Sequence, residues 1–102
     1  MEIKKVGKAG TLESCDIVII IEPNSNKGIE VNLNSSVDKQ FGSQIKKVIE
    51  DTLLALAVKD ATVHANDRGA LDFTIKARVQ AAAYRGADVK DYCWEVIDRW
   101  RN

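Results

Sequence analysis

The fold of this chain is decided by the run Ile17-Val18-Ile19-Ile20-Ile21. Consecutive β-branched residues favour a strand, and the lack of polar alternation indicates that this strand is central or covered on both faces. Turn-forming residues occupy 22–28, and Ile29-Glu30-Val31-Asn32-Leu33 then alternates apolar and polar side chains. This alternation predicts a half-buried second strand. We expect the two strands to pair as an antiparallel hairpin.

Helical periodicity follows the second strand. The residues Ser35-Ser36-Val37-Asp38 are typical of a capping box at a helix start. Apolar residues at helical spacing then predict a long amphipathic helix, and they are Phe41, Ile45, Val48, Ile49, Leu53 and Leu56. Residues 61–65 alternate again and predict a third strand. A second helix is expected over residues 70–85, ended by Gly86, and a shorter apolar stripe predicts a third helix within residues 88–102.

This order of elements predicts an α+β fold. We expect a two-layer sandwich, in which a small sheet of about three strands packs one face against helices. If the second and third strands run parallel, the helix between them should form a right-handed crossover. A length of 102 residues predicts a single domain over residues 1–102. We expect residues 1–10 to form a flexible arm, because they lack periodicity and contain two glycines.

Charge and composition argue against several classes of protein. The chain carries 15 basic and 15 acidic residues, so it lacks the basic excess typical of nucleic-acid binding. Its longest apolar run is too short to span a membrane, and no signal peptide is evident at its start. We therefore expect a cytoplasmic protein with no nucleic-acid or membrane partner. Cys15 and Cys93 lack metal-type spacing and are expected to be free thiols.

No self-sufficient active site is evident in the sequence. Phosphate-binding glycine loops, nucleophile elbows and zinc-type histidine pairs are absent. Ser36-Val37-Asp38-Lys39 matches a Ser-x-x-Lys nucleophile pattern, but helix capping explains Ser36 better. His64 is the only histidine, and its place on the polar side of the third strand indicates a solvated position.

Two further groups have alternative interpretations. Cys15 lies between Glu13 and Asp16, and these acids favour a protonated, unreactive thiol. Arg78 and Arg85 share one side of the second helix. They either cover the rim of the core or form a guanidinium patch that binds a phosphate or a partner's carboxylates. None of these patterns distinguishes Ser14 from the other serines.

Several blocks of the chain, in order, resemble the citrate lyase acyl carrier (gamma) subunit family. The blocks are Gly10-Thr11-Leu12-Glu13-Ser14 with Asp16, residues 34–42, residues 66–72, and Ala77-Arg78. They keep the family's order and near-family spacing over about residues 6–87, which is more specific than one short motif. Cys15 stands where the family is expected to have a small residue such as Gly or Ser. Residues 88–102 lie outside the pattern.

The resemblance implies a carrier that breaks no bonds itself. Ser14 would be joined by a phosphodiester to phosphoribosyl-dephospho-coenzyme A, whose thiol carries acetyl and then citryl as thioesters. An alpha subunit would exchange acetyl for citryl, and a beta subunit would release oxaloacetate, so that citrate yields acetate and oxaloacetate. Further partners would be a prosthetic-group transferase and the citrate lyase ligase that acetylates the arm.

Residues near Ser14 are candidates for recognising these partners. Glu13 and Asp16 would form an acidic rim around the attachment site, or would simply be solvated at a strand start. Arg78 is a further candidate. Two other functions remain open: an unmodified regulatory or scaffolding α+β domain that acts through protein contacts, and, more remotely, a small enzyme that uses Cys15 or Ser36.

Overall fold

The computed structural model describes residues 1–35 and 38–88, without the side chains of residues 38–40. Its elements in chain order are β1 (Gly7–Ala9), β2 (Ile17–Glu22), β3 (Ile29–Ser35), α1 (Asp38–Ala55), β4 (Ala61–Asp67) and α2 (Asp72–Gly86). The predicted α+β fold is confirmed. The sheet has four strands rather than about three, because a short strand precedes the apolar run.

The strand order is β1-β2-β4-β3. Strand β2 is antiparallel to both β1 and β4, whereas β3 runs parallel to β4. The predicted hairpin between β2 and β3 was therefore wrong, because β4 lies between them. The uninterrupted apolar run of β2 suits a central strand, and the alternating β3 takes the edge. Helix α1 provides the long connection that two parallel strands require.

Residues 1–10 are tied to the rest of the fold. The prediction of a flexible arm was wrong for residues 7–9, which pair with Ile19–Ile21 of β2, and Ile3 is buried. A Cβ atom at Gly7 would lie 2.1 Å from the carbonyl oxygen of Ala82. Glycine therefore lets β1 approach the backbone of α2 directly, and three residues are too few to show a periodicity.

The core lies between the sheet and the two helices. Ile17, Ile19 and Ile21 are fully buried on the helix side of β2. They pack in one cluster with apolar residues of β4 and both helices, including Val63, Ile49, Leu53, Ile75 and Val79. Phe41 belongs to the predicted apolar stripe of α1, but the structure leaves it 51% exposed.

Specific hydrogen bonds are made near both ends of α1. Ser35 is the last residue of β3, and its hydroxyl donates to Asp67 at 2.9 Å. Helix α1 ends in a Schellman motif, in which Val58 N–H donates to Leu53 O and Ala57 N–H to Leu54 O, each at 3.0 Å. The proposed cap Ser36 and residues 89–102, with most of the third predicted helix, lie outside the described residues.

The described helices include none with the length and apolar character needed to cross a membrane.

Candidate functional site

Ser14 lies at the corner of a tight turn between β1 and β2. The amide of Asp16 donates to the carbonyl of Glu13 at 3.2 Å, which closes the turn around Ser14 and Cys15. Cys15 has a φ of 64°, in the left-handed region. Ser14 is exposed, and its hydroxyl has no hydrogen-bond partner within the described part of the chain. This hydroxyl is therefore accessible and uncommitted.

Backbone hydrogen bonds attach the turn to the sheet. Cys15 N–H donates to Arg68 O at 2.8 Å, and Arg68 N–H donates to Asp16 O at 2.9 Å. These bonds continue the antiparallel ladder of β2 and β4 beyond its last register pair, Ile17 and Asp67. Ser14 thus projects from the end of two paired strands rather than from a free loop.

A bidentate ion pair attaches the same turn to α2. Arg78 donates from Nε to Asp16 Oδ1 at 3.0 Å and from Nη2 to Oδ2 at 2.8 Å. The carboxylate also accepts from the Thr11 hydroxyl at 2.7 Å and from the amide of Ile17 at 2.8 Å. Because both oxygens are occupied, Asp16 connects the start of the loop, the start of β2 and the middle of α2.

This arrangement shifts both ionisation equilibria in the direction that favours the pair. The hydrogen bonds from Arg78, helped by those from Thr11 and Ile17, hold the pKa of Asp16 well below its usual range, although burial acts in the opposite sense. The hydrogen bond to Asp16 likewise raises the pKa of Arg78. The pair is therefore charged at every pH near neutrality.

Asp67, which the sequence placed in the block 66–72 without a role at the site, supports the site from the end of β4. Its carboxylate is buried and accepts from the amides of Gly69 and Ala70 at 3.1 and 3.0 Å, as well as from Ser35. These bonds shape the turn that carries Arg68. The signal was present in the sequence, because an aspartate two residues before a glycine is typical of a turn closed by its own side chain.

Gly10 makes the return of the chain towards β2 possible. Its φ is 100°, and a Cβ atom there would lie 1.7 Å from the carbonyl oxygen of Ile17. Neither the conformation nor the close approach admits a side chain. The structure therefore explains why glycine occupies position 10, which is also the first residue of the block 10–14.

The structure separates the remaining candidates. Glu13 and the Cys15 thiol are exposed beside Ser14. Asp16 was wrongly expected in an exposed acidic rim, because it is buried and bonded to Arg78. Arg85 donates to the carbonyl of Lys8 and so joins α2 to β1. His64 Nε2 lies 3.1 Å from Glu22 Oε1, in a pair that involves neither Ser14 nor Cys15.

The chemistry available at this turn is that of an exposed serine hydroxyl. A serine nucleophile needs a base within hydrogen-bond reach, and in the described residues no such partner meets the Ser14 hydroxyl. The backbone just after Ser14 is held instead by two backbone hydrogen bonds and by the ion pair of Asp16 with Arg78.

Comparison with known proteins places these features in a family. A family model described as malonate decarboxylase delta subunit matches residues 4–86. The citrate lyase acyl carrier protein of Streptococcus mutans is 55% identical over 100 residues and covers 98% of each chain. That of Lacticaseibacillus casei is 54% identical over 102 residues and covers 100% of each. The match to the second relative therefore also covers residues 87–102, which lie beyond the family model.

A solved structure shows the same fold at low identity. It is a Pseudomonas malonate decarboxylase hetero-tetramer in complex with malonate, and one of its chains matches with a TM-score of 0.66 and 16% identity. The match covers 83% of the present chain and 91% of that one. The sequence relatives and the family model agree with each other, and the exposed Ser14 is compatible with both. This chain belongs to the citrate lyase acyl carrier protein family, a family of carrier rather than catalytic subunits.

Proposed function

We propose that Ser14 carries the prosthetic group expected of an acyl carrier, and that this group is phosphoribosyl-dephospho-coenzyme A joined through a phosphodiester. The carrier would serve the cleavage of citrate to acetate and oxaloacetate. The observation that carries the proposal is the free, exposed hydroxyl at the corner of a turn that is fixed on both sides.

The residues of the turn fit such a group. Attachment by a separate transferase needs a hydroxyl that the transferase can reach, and Ser14 offers an exposed one. A phosphodiester also brings negative charge. Arg68, whose backbone bonds to the turn, has an exposed side chain with no ion-pair partner elsewhere in the described structure. Its guanidinium is available to a phosphate at this end of the molecule.

When attached, the group supplies a terminal thiol that holds acyl groups as thioesters. The contribution of this chain is to present the attachment oxygen from a fixed pivot. Asp16 and Arg78 act as positioning residues, because their ion pair holds the turn against α2. A tether fixed at one end confines the acyl group to a small volume and raises its concentration at each active site it can reach.

The surface around Ser14 suits the binding of partner proteins. Leu12 in the same loop is 57% exposed, and Leu71 and Phe73, which follow the turn that carries Arg68, are 62% and 70% exposed. Exposed apolar residues of this size near a functional site are typical of protein interfaces. We propose that this surface, with Glu13, meets the alpha and beta subunits, the prosthetic-group transferase and the ligase that acetylates the arm.

The test is the intact mass of the protein after co-expression with the enzymes that make and attach the group. We expect wild type to gain the mass of one phosphoribosyl-dephospho-coenzyme A, and Ser14→Ala to gain nothing. Ser25→Ala is the matched control, because Ser25 is also exposed in a loop, and it should gain the same mass as wild type.

Two results would overturn the proposal. A mass gain retained by Ser14→Ala would move the attachment site elsewhere. A wild-type chain that stays at its bare mass, while a citrate lyase acyl carrier from another organism is modified in parallel, would favour the unmodified scaffolding domain.

A further inference from the structure

The outer face of the sheet holds a groove that begins at the Ser14 loop. The groove has a volume of about 500 Å³. Its floor is formed by Val18 and Ile20 of β2, on the face of the sheet opposite to the buried Ile17, Ile19 and Ile21. Residues 10–12 form the wall nearest to Ser14. Anything joined to Ser14 therefore starts two residues from the edge of this groove.

The groove combines an apolar floor with unpaired polar groups at its rim. Val18 is only 8% exposed, although it points away from the helices, because the loop at residues 10–12 overhangs it. Lys8 and Asn66 line the rim, and neither side chain has a hydrogen-bond or ion-pair partner among the described residues. His64 adds an imidazole ring, which is held by Glu22.

This chemistry matches a nucleotide better than a simple acyl chain. A planar base can lie on the apolar floor beside an imidazole ring, an amide can donate to and accept from its edge, and an ammonium group can bind a phosphate. We propose that the groove is the resting seat of the nucleotide portion of the arm while the carrier is free. This inference rests on the proposed attachment at Ser14.

Other depressions on the described surface fit less well. One is lined by Glu2 and Asp60 as well as Lys59, and another by Asp51 and Asp72 as well as Lys47 and Lys76. Their carboxylates offset the attraction of these lysines for a phosphate. A third, over β3, lacks carboxylates but has no lining residue from the Ser14 loop. The groove beside Ser14 has the positive charge of Lys8 in its lining, and it is the depression that lies nearest to a group attached at Ser14.

Tethering explains how an open groove can hold the nucleotide without trapping it. A short flexible link gives an effective concentration on the order of millimolar. An intrinsic dissociation constant near that value would leave the seat about half occupied, so that the arm leaves readily for an active site. The seat would shield the arm in the free carrier and release it when a partner binds.

The experiment compares two-dimensional amide NMR spectra of loaded and unloaded carrier, with loading verified by intact mass. We expect shift changes at Lys8, Ile20, His64 and Asn66, in addition to those at the attachment turn. Lys8→Ala should reduce the changes at Ile20 and Asn66 at least twofold. Lys27→Ala is the matched control, since it removes an exposed lysine from the loop between β2 and β3, and it should leave them unchanged.

The possible failures are distinguishable. Loaded carrier with shift changes confined to residues 13–16 and their bonded neighbours would overturn the seat and leave the attachment intact. If loading produced shift changes of equal size at Ile20 and Asn66 in Lys8→Ala and Lys27→Ala, the contact between Lys8 and a phosphate would be overturned. A chain that gains no mass would overturn both the seat and the proposed function.

Discussion

At the scale of single residues, the site depends on one carboxylate that serves several elements. Asp16 receives hydrogen bonds from Arg78, Thr11 and the amide of Ile17. It is buried two positions from the exposed Ser14. A buried carboxylate without its counter-charge is costly, so Arg78 is needed for the turn to keep its shape.

We expect Arg78→Gln to lower the free energy of unfolding by about 1–3 kcal/mol, because charged hydrogen bonds are lost and Asp16 keeps only neutral donors. Urea denaturation followed by circular dichroism measures the loss. Arg85→Gln is the control, since Arg85 bonds only a backbone carbonyl in the described structure, and its loss should be smaller. Equal losses for the two variants would contradict a special role for the ion pair.

Cys15 shows why a departure from the family's pattern can be tolerated. The position has a φ of 64°, which glycine adopts freely and other residues adopt at a cost of roughly 1–2 kcal/mol. The expectation of a small residue at this position came from the resemblance, and the turn supplies its physical reason. The compact, unbranched side chain of Cys15 is exposed there.

At the scale of elements, α1 ends on a residue that is not ideal for its conformation. Ala57 is the left-handed residue of the Schellman motif, with a φ of 58°. The motif is kept because Val58, buried at 2% exposure, packs in the core directly after it. Helix-ending motifs of this kind usually have glycine at the left-handed position.

Glycine substitutions should therefore have opposite effects at two alanines. We expect Ala57→Gly to raise the free energy of unfolding by about 0.5–1 kcal/mol, because it relieves the left-handed conformation. Ala77→Gly, at an exposed position inside α2, should lower it by about 1 kcal/mol through helix propensity alone. Thermal and urea unfolding of both variants measure the difference, and a loss of stability in Ala57→Gly would contradict the assigned helix end.

At the scale of the whole molecule, the sheet and the two helices meet through a few long-range polar contacts. Arg78 reaches Asp16 across 62 positions of sequence, and Lys5 pairs with Asp88 across 83. In the first pair the Asp16 side chain is largely shielded from solvent and that of Arg78 is partly exposed, whereas both side chains of the second pair are exposed. Their different exposure predicts different contributions to stability as the pH changes.

We expect the protein to lose stability as the pH falls below about 4. The pKa of Asp16 is lower in the folded chain than its unfolded value of about 3.9. Its stabilisation is therefore complete above the unfolded pKa and is lost as the pH falls towards the folded pKa. Denaturant titrations between pH 7 and pH 2 measure the free energy of unfolding of wild type and Asp16→Asn. The difference between the two should become smaller as the pH falls.

Asp88→Asn is the matched control for that experiment. The hydrogen bond from Lys5 also lowers the pKa of Asp88, so the sign is the same, but water and salt screen this exposed pair. The difference in unfolding free energy between Asp88→Asn and wild type should be small at every pH and smaller still in added salt. If the difference in unfolding free energy between wild type and Asp16→Asn did not change with pH, the Asp16 carboxylate would have the same pKa in the folded and unfolded chains, against the prediction.

The sequence by itself determined the elements, because their signals are local. A β-branched run, two alternating segments and two apolar helical stripes predict β2, β3, β4, α1 and α2 without reference to distant residues. The α+β class follows from their order. Ser14 could be singled out only through several blocks in register with a known family, since its own neighbours carry no distinctive chemistry.

Only the tertiary structure decided which elements meet. Strand β4 took the place of β3 beside β2, because β4 contributes the buried Ala61, Val63 and Ala65 to the core, whereas β3 is only half-buried and suits the edge. Strand β1 exists because Gly7 admits the backbone of α2. The fork between Arg78 and Asp16 joins residues far apart in the chain, and local periodicity does not encode which buried charges will find each other when the core closes.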